Sequence, residues 1–370
     1  MFLRRGVAGS KNKQVDWVNN TRFLALFLVI TYHWTASLRF GTESNIAIIS
    51  TFKEALSYFI MQGYQGVALF FFISAFGITL NFDKYKKIQE FYEKRIKAIY
   101  PSYLVVVAIA VILSVFSILK VFDIDSGLLF WIKNLTLIEF KNNLQGGVWV
   151  GYFNPAWWFL FGIIQFYLIF PLLYYVIKKM TLIFNLITLL ILCFICTLID
   201  DSITPIVIMY LPIFYAGILL GICYKKNFFT FKSNYPLAIL GIIFWAFCLL
   251  FFNIENGTGM SRIVAPIGLI IFAIFGLNFK TSKTVTNVNA YSYEMYLIHN
   301  ILILFFPIIM LGFAKIPVQT SNWLIGYILY IALTYIAARN ISHMAAFILK
   351  GTSLAMQRVK PVLTDITTPQ

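Results

Sequence analysis

The chain has 370 residues, 60% of them hydrophobic, 18% aromatic and 12% charged, where soluble domains carry about 25% charged residues. So much apolar surface cannot be hidden inside one soluble core, so a water-soluble globule is excluded and lipid must solvate much of the exterior. The net charge of +15 reads as Lys and Arg held on one side of a membrane; no nucleic-acid partner is expected.

Residues 1–16 form a basic tail with Arg4, Arg5, Lys11 and Lys13. The apolar run after it is long enough to span, so no cleavable signal peptide is read there. The expected fold is all-α and polytopic. Ten membrane-spanning helices are expected at 17–38, 56–80, 99–120, 156–177, 181–199, 203–224, 235–253, 262–279, 291–313 and 322–348. With both termini cytoplasmic, twenty of the 29 Lys and Arg residues fall in inside segments, seven in outside segments, and Arg22 and Arg339 within spans. This is the asymmetry the positive-inside rule demands. The chain then divides into a cytoplasmic tail 1–16, a transmembrane domain 17–348 and a cytoplasmic tail 349–370. The longest outside segment, 121–155, holds Trp131, Trp149, Gly146 and Gly147 and is expected to lie on or re-enter the outer face. Cys193 and Cys196 form a C-x-x-C with no second pair and no nearby His, so they read as packing residues and no metal site is expected.

The chemistry lies in ionisable residues placed within spans, where charge is costly. The first span carries Arg22 and His33 in RFLALFLVITYH. Eleven residues make three helical turns plus about 20°, with a rise of about 16 Å. The two side chains therefore share one face near opposite ends of a groove. In the second span, Gly63, Gly66 and Gly77 would allow close helix approach, and Ser74 is expected to bond its own helix backbone. The following stretch, DKYKKIQEFYEKRIKAIYPSYL, is basic enough to lie on anionic lipid or to cradle phosphates, with Arg95 and Lys97 best placed. Later candidates are His299 and Glu294 in the ninth span, Arg339 and His343 in the tenth, and, outside, Asp200, Asp201, Glu255, Arg262 and the Trp-rich 149–158 stretch, which could meet a glycan. A structural pairing of Arg339 with Glu294 is expected.

Taken together, these residues resemble the acyltransferase-3 family of integral membrane O-acyltransferases. The resemblance rests on Arg22 and His33 with ten residues between them, and on Gly66-Val67 with Phe71-Phe72-Ile73-Ser74. It rests too on Lys94-Arg95 before Tyr100-Pro101, and on Trp157 or Trp158 ahead of Phe166, Tyr167 and Pro171. Ser292, Tyr293, Tyr296, Leu297 and His299 complete it. The chain departs from the family pattern at Ala75, at Ala98 and at Gln165. The resemblance implies transfer of an acyl group, acetyl by default with succinyl open, from cytoplasmic acyl-CoA to a sugar hydroxyl of a cell-envelope or exported polysaccharide. Acyl-CoA is then a donor substrate, no cofactor is held permanently, and the bacterial cytoplasmic membrane is the location. Catalysis falls to His33 and Arg22, and donor binding to Arg22, Lys94, Arg95 and Lys97. His33 serves as general base or carries the acyl group; the residues leave both open. Ser74, Gln165, Trp158, Tyr167, Glu294, His299 and Arg262 are the further candidates. The competing expectation is an exporter or flippase of a lipid-linked glycan, which would also need polar groups inside the bundle.

Overall fold

The computed structural model describes residues 15–37, 58–115, 128–138, 144–145, 148–149, 153–198, 205–228, 231–251, 260–309 and 323–366. The helices are α1 (Asp16–Ser37), α2 (Gly66–Phe82), α3 (Ile88–Val115), α4 (Leu128–Thr136), α5 (Trp158–Lys179) and α6 (Leu182–Leu198). They continue with α7 (Leu211–Lys225), α8 (Tyr235–Phe251), α9 (Ala265–Gly276), α10 (Lys283–Asn289), α11 (Ser292–Ile309) and α12 (Trp323–Ile366). A helix lies in each of the ten predicted stretches. Four helical segments are long and apolar enough to cross a membrane: Tyr58–Phe82, Ile88–Leu113, Pro155–Lys179 and Leu324–Gly351. Four shorter apolar helices accompany them. The strands among the described residues are two residues each, Leu144–Gln145 paired antiparallel with Val148–Trp149.

The exposure pattern is inside-out relative to a soluble protein. On α6, Ile183, Leu190 and Leu198 are each 70% exposed, while the polar Asn185 is buried. Asn185 donates to the carbonyls of Ile177, Met180 and Thr181 and accepts from the Tyr215 hydroxyl at 2.5 Å. A polar side chain satisfied inward and an apolar face turned outward is the arrangement hydrocarbon selects, because lipid offers no hydrogen bonds. The outward faces of α8 and α12 behave alike, with Phe251 and Phe347 strongly exposed.

Glycines set the closest approaches. A Cβ at Gly66 would sit 2.6 Å from the Ala25 carbonyl oxygen, and one at Gly63 would overlap the Leu28 carbonyl, so both let α2 and the turn before it press onto α1. Gly241 of α8 and Gly268 of α9 play the same part for that pair, a Cβ at Gly241 meeting the Gly268 carbonyl at 2.7 Å. A Cβ added at Gly77 would meet nothing within 4 Å, so the expected packing role there is not realised.

One feature differs from the sequence expectation. The basic stretch before the third span does not lie apart from it; α3 runs unbroken from Ile88 through Pro101. Glu93 and Lys97, one turn apart, pair at 3.1 Å on its exposed side. The 121–155 segment contributes α4, which packs beside the middle of α3. The hydroxyl of Tyr100 donates to the Thr136 carbonyl at 2.7 Å and that of Tyr103 to the Asn134 carbonyl at 2.8 Å. Asn134 also accepts from the Phe153 amide at 2.8 Å. The described part of the segment thus lies beside α3, and α5 starts next to it, with Trp157 5.4 Å from Tyr103.

One end of the bundle is polar and basic. Asp16 accepts from Thr281, and Asn20 donates to the carbonyls of Leu277 and Phe279 at 2.9 Å. Just beyond α2, Asp83 accepts from the Tyr174 hydroxyl at 2.8 Å and from Lys178 at 3.4 Å, and pairs closely with Lys225. Burial pushes the Asp83 carboxyl up, but the hydrogen bonds from Lys225 and Tyr174 and the charges of Lys225 and Lys178 outweigh it. The net pKa falls below the ordinary value of 3.8. A depressed folded-state pKa adds stability that is fully present above pH 3.8 and is lost as pH falls below it toward the folded value. Thermal unfolding in micelles from neutral pH down to about pH 3 should therefore lower Tm more in the native chain than in Asp83→Asn. Equal slopes would show that the network adds nothing.

Candidate functional site

Four helices bring four of the predicted residues together. Arg22 of α1 is buried at 6% exposure and Ser74 of α2 at 0%. Tyr167 of α5 has Arg95, Ser74 and Arg22 as its charged and polar neighbours. The Arg95 guanidinium of α3 lies 5.7 Å from the Tyr167 ring centroid and 5.6 Å from that of Phe91, and donates to the Tyr85 hydroxyl at 3.3 Å. Ser74 thus lies beside Tyr167, whose buried hydroxyl has no hydrogen-bond partner among the described residues. Both Arg22 and Arg95 hold a buried Nε with no hydrogen-bond partner. Among the described residues neither forms an ion pair with a carboxylate. Arg22 is buried and Arg95 half-buried; two cations drawn together away from water without a counter-charge are costly, and an anion is the natural complement.

The rest of the basic cluster does not reach this place. Lys97 is exposed and paired with Glu93. Lys94 is exposed over the Tyr85 ring at 5.1 Å. Arg95 turns inward because successive helix positions rotate by about 100°, so neighbours in sequence face different ways.

Three turns along α1 from Arg22, the His33 ring meets that of His299 of α11, centroid to centroid 5.0 Å, with Tyr32 at 4.9 Å. His33 is half-buried; His299 is fully buried. His299 Nδ1 lies 2.5 Å from the Tyr296 carbonyl, which only accepts, so Nδ1 carries the proton. Its Nε2 is buried with no hydrogen-bond partner. The surroundings are rigid. Trp34 stacks on Tyr330 at 5.0 Å, the Tyr330 hydroxyl donates to the His299 carbonyl at 3.1 Å, and the Trp157 indole donates to the Leu297 carbonyl at 2.9 Å. Asn300 donates to Asn154 at 2.8 Å, tying the turn before α5 to the helix that carries His299. Sequence reading missed Asn154 and Asn300; the signal was an amide next to a His inside an apolar span.

The remaining candidates lie elsewhere. Glu294 is buried and accepts from Ser102 of α3 at 2.8 Å. Arg339 and His343 are exposed on α12, so the expected Arg339–Glu294 pairing gives way to Ser102–Glu294. Gln165 is half-buried on α5, two positions from Tyr167 and so on another face. Trp158 stacks on Tyr210 at 5.7 Å, whereas Trp157 is the buried one. Arg262 is buried in the helical turn Met260–Val264. Asp200, Asp201, Glu255 and the side chain of Trp149 lie outside the described residues.

Apolar faces turned to lipid and ionisable groups gathered inside the bundle define an integral membrane protein with a polar site between its helices. The family model described as an acyltransferase domain matches residues 15–339, and the chain belongs to this acyltransferase-3 family of membrane acyltransferases. No curated protein and no solved structure matched the chain.

Proposed function

We propose that this acyltransferase takes an acyl group, acetyl by default, from acyl-CoA at the cytoplasmic face and delivers it to a sugar hydroxyl of an envelope or exported polysaccharide. The proposal includes ten membrane-crossing segments, both termini in the cytoplasm, and a bacterial cytoplasmic membrane. The observation that carries it is the meeting of two guanidiniums, Arg22 buried and Arg95 half-buried, each with a buried Nε that has no hydrogen-bond partner and neither with a carboxylate partner among the described residues. Phosphate groups of CoA match that pair in charge and geometry, since a guanidinium offers a planar fork to phosphate oxygens. The Arg pair lies toward the end of the bundle that carries Lys178 and Lys225, which supports a cytoplasmic entry.

From that anchor the extended arm of CoA runs along α1. The rise from Arg22 to His33 is about 16 Å, a length on the scale of that arm. His33, half-buried beside His299, then acts as general base. It takes the proton of the sugar hydroxyl as its oxygen attacks the thioester carbon, and the CoA thiolate leaves and recovers a proton. Tyr167 lies between the two arginines, its ring 5.7 Å from the Arg95 guanidinium.

The test is transfer in proteoliposomes loaded with acceptor glycan and supplied with acetyl-CoA outside, read by mass spectrometry of the glycan. Acylated sugar that depends on the protein is the expected result. Unmodified glycan moved across the bilayer would instead establish the exporter reading.

A further inference from the structure

We infer that His299 is a positioning residue that accepts a hydrogen bond from His33 and so fixes which His33 nitrogen is bare toward the acceptor hydroxyl. The inference rests on the reading of His33 as general base. It follows from the arrangement of the two rings. His299 Nδ1 is committed to the Tyr296 carbonyl, so Nε2 must present a lone pair. That lone pair is buried and has no donor among the described residues, a state that costs stability and calls for a partner. The imidazole beside it is His33, 5.0 Å away between centroids and tilted by 52°. No hydrogen bond joins the rings as they stand. Rotation about the soft bond between Cβ and the ring of His33 turns an N–H onto His299 Nε2.

Burial assigns the two roles in one direction only. His299 is fully enclosed and cannot meet a sugar, whereas His33 is half-buried. With one His33 nitrogen donating to His299, the other holds a lone pair for the hydroxyl proton. When His33 takes that proton it becomes an imidazolium whose second N–H already points at an acceptor, so the charge is stabilised where it forms. The proton then passes to the departing CoA thiolate, and His33 returns to its starting tautomer. His299 neither gains nor loses a proton in the cycle. Its backbone is held for this purpose by Tyr330 and by the Asn300–Asn154 bond.

The chain has only three histidines, which makes the proposal directly readable. Protein labelled with ¹⁵N-histidine in micelles gives three imidazole signal sets, assigned with His343→Gln and His299→Gln. In the native chain His299 should be the Nδ1–H tautomer with Nε2 shifted as a hydrogen-bond acceptor, and His33 should show one protonated nitrogen. A His299 protonated at Nε2 overturns the inference without any variant needing to fold. In kinetics, His299→Leu should lower kcat about 10- to 100-fold, the usual cost of losing a group that orients a functional imidazole, with donor KM little changed. His299→Gln, whose amide oxygen can stand near the Nε2 position, should recover much of the turnover. Equal losses in both variants would reduce His299 to a packing residue. If His33→Ala is inactive while His299→Leu turns over normally with unchanged His33 signals, the pairing alone fails. If His33→Ala is active, the general-base reading fails and the inference goes with it.

Discussion

Replacing His33 with Ala is expected to reduce acyl transfer by about 10²- to 10⁴-fold, the usual contribution of a positioned acid–base group. The protein should still insert and accumulate, because His33 makes ring contacts with Tyr32 and His299 while the neighbouring Trp34 carries the buried packing against Tyr330. No second imidazole can take over. His299 is fully buried, and His343 lies exposed on α12. The measurement is initial rate in proteoliposomes at matched protein content, with Tm as the control for folding. Near-normal acylation by a well-folded His33→Ala protein would remove His33 from the chemistry.

Arg22→Lys is expected to weaken apparent acetyl-CoA affinity roughly 10- to 100-fold while leaving turnover at saturating donor much less affected. A hydrogen bond to a charged group contributes about 1.5–3 kcal/mol, and Lys keeps the charge but loses the bidentate fork. Arg95→Lys should behave in the same way. The exposed Lys94 and Lys97 point away from Tyr167 and offer no replacement inside the bundle. Steady-state rates with acetyl-CoA varied at fixed acceptor would decide the matter. Loss of turnover with unchanged donor affinity would place Arg22 in the chemical step, or in holding α1. If both variants lose affinity, Tyr167→Phe becomes informative. Its hydroxyl lies among Arg22, Arg95 and Ser74, and its removal should perturb donor binding without abolishing it.

Much of this protein is legible in its sequence because membranes impose a local code. Hydrocarbon forces each crossing segment into a helix with its own apolar run, so helix positions follow from windows of hydropathy without knowledge of neighbours. The rigid geometry of one helix likewise aligns Arg22 with His33, since a separation of eleven residues fixes their common face wherever α1 packs. The family motifs add Ser74, Arg95, Tyr167 and His299 as separate points along the chain.

Tertiary packing alone decided how those points meet. Helix periodicity sets Arg95 on a different face of α3 from Lys94 and Lys97, but only the presence of Tyr167 on α5 makes the Arg95 face the inward one. An apolar window registers where lipid begins and is blind to a helix that continues into water. Hence α3 starts at Ile88 and not near residue 99. The 121–155 segment lacks a repeating period, so the place of α4 beside Tyr100 and Tyr103 depends on hydrogen bonds to α3 that no pattern in the sequence shows. The pairing of His33 with His299 is the clearest case. The two residues belong to opposite ends of the chain, and no local rule relates them. Close packing of α1 against α11, together with the bond that commits one His299 nitrogen to its own helix, brings the second nitrogen beside His33.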